Sequence, residues 1–114
     1  MKILILGAGQ VGRSVAGVLT REDNDVTIVD TNAAVMRELR EKLDIRTEIG
    51  QASYPRVLER AGIRDADMVI AVTNSDEINM IACQVAHTLY RTPTKIARIR
   101  SSQYLEQPRL FGEN

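Results

Sequence analysis

The sequence predicts an α/β fold, a doubly wound parallel sheet with helices on both faces. Short apolar runs, Ile3–Leu6 and Met68–Val72, suit strands buried on both sides, as in parallel sheets. They alternate with longer segments whose apolar residues recur at helical spacing, the pattern of successive βαβ units. Between the first strand and the first helix lies a glycine run, Gly7-Ala8-Gly9-Gln10-Val11-Gly12, a punctuation that breaks the strand sharply.

Each element follows from its residues. Met1 to Leu6 predicts strand 1. Gln10 to Thr20 predicts the first helix, with Val11, Val15, Val18 and Leu19 as its apolar face. The polar stretch Glu22-Asp23-Asn24-Asp25 is a turn, and Val26 to Val29 is a second strand ending at Asp30. Thr31 or Asn32 caps a second helix carrying Val35, Met36, Leu39 and Leu43. Ile45 to Ile49 is a short third strand. A small helix follows with Val57, Leu58 and Ala61, Pro55 in its first turn and Gly62 placed to end it. Met68 to Val72 is apolar throughout and predicts a central fourth strand. Asn74 with Glu77 three positions later reads as a capping box for a long helix bearing Ile78, Ile81, Ala82, Val85 and Leu89. Thr92-Pro93-Thr94 breaks that helix, Lys95 to Arg100 is a fifth strand, and residues 102–112 begin another helix.

Right-handed crossovers between such units give the strand order 3-2-1-4-5, a Rossmann-like arrangement with a crevice at the strand C-termini between strands 1 and 4. A full version of this fold carries a sixth strand. The chain reaches Asn114 without one, so the expectation is a single domain over 1–114, cut from a longer protein.

Composition narrows the class. At 114 residues, 44% apolar and 26% charged, the chain is an ordinary soluble domain, small for a complete enzyme. Fifteen basic residues balance fifteen acidic ones and are spread along the chain, against a nucleic-acid partner, which needs a concentrated basic face. No stretch approaches the about 20 apolar residues of a membrane span, and no cleavable signal precedes strand 1, so direct membrane insertion is not expected. The single cysteine, Cys83, has no internal disulfide partner, which fits a cytoplasmic location.

The glycine run gives the first chemical reading. Gly7 permits the turn off the strand, Gly9 lets an anion approach the backbone, and Gly12 lets the helix pack close. The first amides of the helix point outward without intrahelical partners, and the helix dipole favours an anion there. Asp30 lies 18 residues beyond Gly12, near the separation expected of a carboxylate that accepts ribose hydroxyls. Together these point to a dinucleotide or adenine-nucleotide site. A 2′-phosphate beside Asp30 would meet like-charge repulsion of ~1 kcal/mol at 4 Å even in water, and Thr31 and Asn32 carry no offsetting charge. NAD(H) or an adenosine phosphate such as ATP or ADP is therefore favoured over NADP(H).

The other strand ends supply the remaining candidates. Gln51 and Ala52 fall beside the adenine, or belong to a plain loop leading to a helix cap at Ser53. Thr73 and Asn74 fall at the crevice, with Asn74 equally well read as a cap. Alternation puts Arg98 and Arg100 on one face, as an anion clamp or as surface ion pairs, with Arg98 the stronger candidate. His87 and Cys83 lie within the long helix and read as surface and packing residues. No Ser-His-Asp set, metal-ligand spacing or paired-carboxylate pattern is visible. The residues read as binding without catalysis.

These residues also carry a resemblance. Met1 to Gly12, Val29-Asp30-Thr31-Asn32, Asp65 to Glu77, Asn79-Met80 and Ile96-Ala97-Arg98-Ile99-Arg100 resemble the RCK/KTN family of nucleotide-binding domains from Trk potassium uptake systems, over essentially the whole chain. The run Ala71-Val72-Thr73, Asp76-Glu77, Asn79 is more specific than the glycines. The resemblance implies NAD(H) binding, with ATP or ADP as competing ligands, through Gly7 to Val11, Asp30, Gln51-Ala52, Thr73-Asn74 and Arg98. It also implies a homo-oligomer, a dimer or ring, beneath a membrane-embedded potassium translocating subunit, and a further C-terminal ligand-binding domain. Many members have Gly-Asp-Ala-Thr where this chain has Gly50-Gln51-Ala52-Ser53, which alters adenine or ribose recognition without removing the site. The expected function is a non-enzymatic nucleotide sensor that regulates potassium uptake. Its rivals are the cofactor-binding half of an NAD-dependent oxidoreductase and an assembly module with a vestigial crevice.

Overall fold

The structure, a computed structural model, describes residues 1–111. Five strands form one parallel sheet in the order β3-β2-β1-β4-β5, as the sequence predicts. They are β1 (Lys2–Leu6), β2 (Asp25–Asp30), β3 (Arg46–Ile49), β4 (Met68–Ala71) and β5 (Thr94–Ala97). The helices between them are α1 (Gln10–Arg21), α2 (Ala33–Lys42), α3 (Pro55–Arg60) and α4 (Asp76–Tyr90), and a short α5 (Ser102–Leu105) follows β5.

The continuous apolar strands have a simple cause. Alternate side chains of β1 and β4 point to opposite faces, and each face is covered. Leu4, Leu6, Val69 and Ala71 pack with Val57 and Leu58 of α3 and Ala82 and Ala86 of α4. Ile3, Ile5, Ile70 and Val72 pack with Ala16 of α1 and Met36 and Leu39 of α2. In register, Leu6 lies opposite Val29 on one side and Ala71 on the other, so the central strands end level with one another. That common end is where the crevice opens.

Several elements differ from the sequence reading. Val11 and Val18 are exposed, because α1 turns Gly12 and Ala16 to the sheet, with Val15 and Leu19 flanking them. Likewise α4 buries Asn79, Ala82 and Ala86 while Ile81 and Leu89 face out, 53% and 57% exposed. In both helices the smallest side chains set the close approach to the sheet. The α4 cap is Ser75, whose hydroxyl accepts from the Ile78 amide at 3.2 Å, and not Asn74. Tyr54 rather than Ser53 precedes α3, without a side-chain cap bond. β5 stops at Ala97 because its partner β4 stops at Ala71, so Arg98 and Arg100 lie beyond the ladder instead of on one strand face. In place of one helix over 102–112, α5 gives way to a 3₁₀ turn at Pro108–Phe111, and Gly112 lies outside the described residues.

Candidate nucleotide site

The glycine loop is wedged between its neighbours. The Gly7 amide donates to the Val29 carbonyl at 2.8 Å, fixing the loop to the end of β2. Gly7 adopts φ +112°, and a Cβ there would lie 2.8 Å from the Thr73 backbone nitrogen. Any larger residue would collide with the end of β4 in a backbone region that L side chains avoid. A Cβ on Gly12 would fall inside the Gly7 carbonyl oxygen, so the first turn of α1 sits directly on the loop.

Gly9 is different. Its Cβ direction meets no heavy atom within 4 Å. It caps α1 with φ −77° and ψ −166°, an extended conformation open to any residue, and no side chain caps the helix. The helix has no acidic residue in its first turn. The amides of Gln10, Val11 and Gly12 have no intrahelical acceptors, and the space over Gly9 beside them is open, a setting that suits an anion.

Asp30 closes the loop from the side of β2. One carboxylate oxygen accepts the Ala8 amide at 2.7 Å and the other the Asn32 amide at 2.9 Å. The Ala8 amide is thereby occupied within the protein, and Ala8 itself is buried. An ionised carboxylate has about four acceptor positions, so half of Asp30's acceptor capacity is left by these two bonds.

Asp30 also lines a shallow pocket of about 80 Å³ with Gln51, Ala52, Thr73 and Ile78. Four residues expected at the site thus converge on one depression, and Ile78, expected only as core, joins them. Asn74 instead borders a neighbouring depression with Asp76, Glu77 and Arg100.

The far wall is an ordered hydrogen-bond network. Asp76 accepts the amides of Arg100 at 3.0 Å and Ser101 at 2.8 Å, and those bonds hold its carboxyl below the usual carboxylate range. The Tyr104 hydroxyl donates to Glu77 at 2.7 Å, lowering the acid and raising the phenol. The Arg100 guanidinium donates to the Asn74 carbonyl at 3.0 Å. The Arg98 guanidinium has no hydrogen-bond or ion-pair partner among the described residues.

Another groove, about 400 Å³, lies elsewhere, between α4, β5 and α5, with Cys83 and His87 on its wall. Burial pushes the Cys83 thiol up to about 11, so it is protonated and unreactive near neutrality. Among the described residues no group of three acidic, His or Cys side chains is placed to hold a metal ion.

The sequence reading placed Asn79 in its motif without a role. It is fully buried, and its side chain bonds Thr73 and Arg98. Its only signal in the sequence is its place in the run after strand 4.

The profile of the TrkA-N domain matches residues 3–113. The chain belongs to the TrkA-N family. Within that family it is 66% identical, over 112 residues, to the Trk system potassium uptake protein TrkA of Halomonas elongata, covering 98% of this chain and 24% of that protein. The chain thus spans about a quarter of the curated relative's length. Among solved structures, the TrkA-N domain of the inner membrane protein YbaL from Escherichia coli superposes with a TM-score of 0.84 at 21% identity, covering 92% of this chain and 77% of that one. The GsuK RCK domain superposes at 0.78 with 24% identity, covering 96% of this chain and 23% of that one. At such identities the likeness establishes that the TrkA-N domain here shares their fold. Among the described residues of this TrkA-N domain, no helix is long and apolar enough to cross a membrane.

Proposed function

We propose that this TrkA-N domain is the cytoplasmic nucleotide-binding, non-catalytic regulatory domain of a Trk-type potassium uptake system, with NAD(H) as its ligand and ATP or ADP as competitors. The observation that carries the reading is the open space over Gly9, bounded by unpartnered α1 amides and by an Asp30 carboxylate with acceptor capacity to spare. The pyrophosphate would lie on the Gly9-Gln10-Val11 amides, and the adenine-side ribose on Asp30. The adenine would lie against Gln51, Ala52 and Ile78. Arg98 would face the phosphate charge. Bound NAD(H) would supply no chemistry here beyond its shape and charge.

The name of the Halomonas elongata relative supports potassium uptake as the setting. In that setting the chain is one domain of a longer regulatory subunit, assembled as a homo-oligomer against a membrane potassium translocating subunit. Ligand binding regulates by favouring one arrangement of neighbouring domains, through its differential affinity for the two.

Calorimetric titration with NADH, NAD, ATP and ADP, beside an Asp30→Ala variant, tests the site. Saturable binding weakened about tenfold in the variant is expected, from the loss of charge-assisted ribose bonds. Silence from all four nucleotides refutes the reading. The regulatory step is tested by X-ray scattering of the full-length protein, where an envelope unchanged by any nucleotide rules it out.

A further inference from the structure

Asn79 sits one turn into α4 with no exposed surface. Burying a carboxamide is unfavourable unless its polar atoms are bonded, and here every one is. Its Oδ1 accepts the Thr73 amide at 2.9 Å and the Thr73 hydroxyl at 2.6 Å. Its Nδ2 donates to the Thr73 carbonyl at 3.2 Å and to the Arg98 carbonyl at 2.8 Å. One side chain thereby ties Thr73, two residues past the end of β4, to Arg98, the residue after β5.

The consequence falls on Arg98. Its amide donates to the Ala71 carbonyl at 2.9 Å and its carbonyl accepts from Asn79, so its backbone is held from both sides. Its guanidinium is unpartnered among the described residues. Asp76 is the nearby acid whose carboxyl feels Arg98's charge, yet its oxygens accept the Arg100 and Ser101 amides and make no ion pair with the Arg98 guanidinium. A cation fixed by its backbone and left without a protein anion is suited to an anion from outside.

We propose that Asn79 is a positioning residue that holds Arg98 toward the phosphates of a nucleotide in the crevice. This rests on the nucleotide reading above. Asparagine is the side chain the geometry requires. Aspartate would set a carboxylate oxygen against the carbonyls of Thr73 and Arg98, and leucine would leave a buried amide and two carbonyls unpaired.

The test compares ADP with adenosine by calorimetry on the 114-residue chain and its Asn79→Ser and Arg98→Ala variants. Adenosine engages Asp30 and the adenine pocket but carries no phosphate. Asn79→Ser is expected to weaken ADP about tenfold while leaving adenosine within about twofold, from the loss of one positioned charge-assisted contact. Adding Arg98→Ala to Asn79→Ser should cost nothing further, since the arginine is already displaced. Parallel loss of ADP and adenosine assigns Asn79 a merely structural role and overturns the proposal, as does unchanged ADP affinity in a folded variant. Wild-type chain that binds neither compound refutes the nucleotide reading and the proposal with it. Wild-type chain that binds both equally shows that no phosphate is held, and overturns the proposal together with the phosphate cradle of the loop.

Should Asn79→Ser not fold, nuclear magnetic resonance of the wild type decides. ADP must shift the Asn79 carboxamide and Arg98 Nε resonances and adenosine must not. Their indifference to ADP overturns the proposal.

Discussion

Gly9→Ala separates what the loop does for the fold from what it does for a ligand. The new methyl meets no protein atom within 4 Å, and the backbone at φ −77°, ψ −166° suits alanine. Removing glycine's freedom from the unfolded chain stabilises by about 0.4–1 kcal/mol. Alanine is the poorer N-cap by a similar amount, about 0.5–1 kcal/mol. The two offset, leaving stability within about 0.5 kcal/mol, or about 2 °C in Tm for a domain of this size. A pyrophosphate on the α1 amides would meet the methyl directly and lose one or two charge-assisted hydrogen bonds, each about 1.5–3 kcal/mol. NADH affinity is therefore expected to fall at least tenfold, while the melting curve stays in place. Gly12→Ala is the opposing control, since its Cβ would overlap the Gly7 carbonyl oxygen and destabilise by about 3 kcal/mol or more. Paired calorimetry and thermal denaturation read both. Wild-type NADH affinity in Gly9→Ala would refute the loop as the phosphate cradle, and a collapse in its Tm would refute the packing argument.

Cys83 should behave as a shielded thiol, with alkylation slow near neutrality and accelerating as pH rises toward about 11. Its raised value also means the fold loses stability between pH 9.0, the ordinary thiol value, and about 11, because the unfolded chain releases that proton first; chemical denaturation at stepped pH measures it. Asp76 runs the other way. Its depressed carboxyl keeps the Arg100 and Ser101 amides bonded above the ordinary carboxylate range and releases them as pH falls through its lowered value. Asp76→Asn should speed hydrogen exchange at Arg100 and Ser101 while leaving β1 amides protected. Unchanged exchange there would show that the bonds contribute nothing in solution.

Much of the fold was legible because its signals are local. The strands declare themselves by apolar runs, the glycine loop by its spacing, and the 3-2-1-4-5 order by the handedness of short crossovers. Helix faces were less legible. Hydrophobicity pointed to Ile81 and Leu89, but a helix lying close on a parallel sheet turns its smallest residues inward, here Ala82 and Ala86. The reach of β5 depends on where β4 ends, which no property of residues 95–100 reveals. Ser75 outcompeted Asn74 as cap because the chain beyond β4 makes its turn at Thr73, which Asn79 holds.

The sequence by itself determined the anion-ready loop, the carboxylate at Asp30 and the succession of strands and helices, since each rests on backbone stereochemistry and short-range pattern. Only the tertiary structure decided that Asp30 bonds Ala8, that Gly9 alone of the three glycines at 7, 9 and 12 faces open space, and that Asn79 joins Thr73 to Arg98. The Asp30–Ala8 and Asn79–Arg98 pairings connect residues 22 and 19 positions apart along the chain. They exist because the parallel sheet brings its strand ends level, and there buried polar groups must find one another.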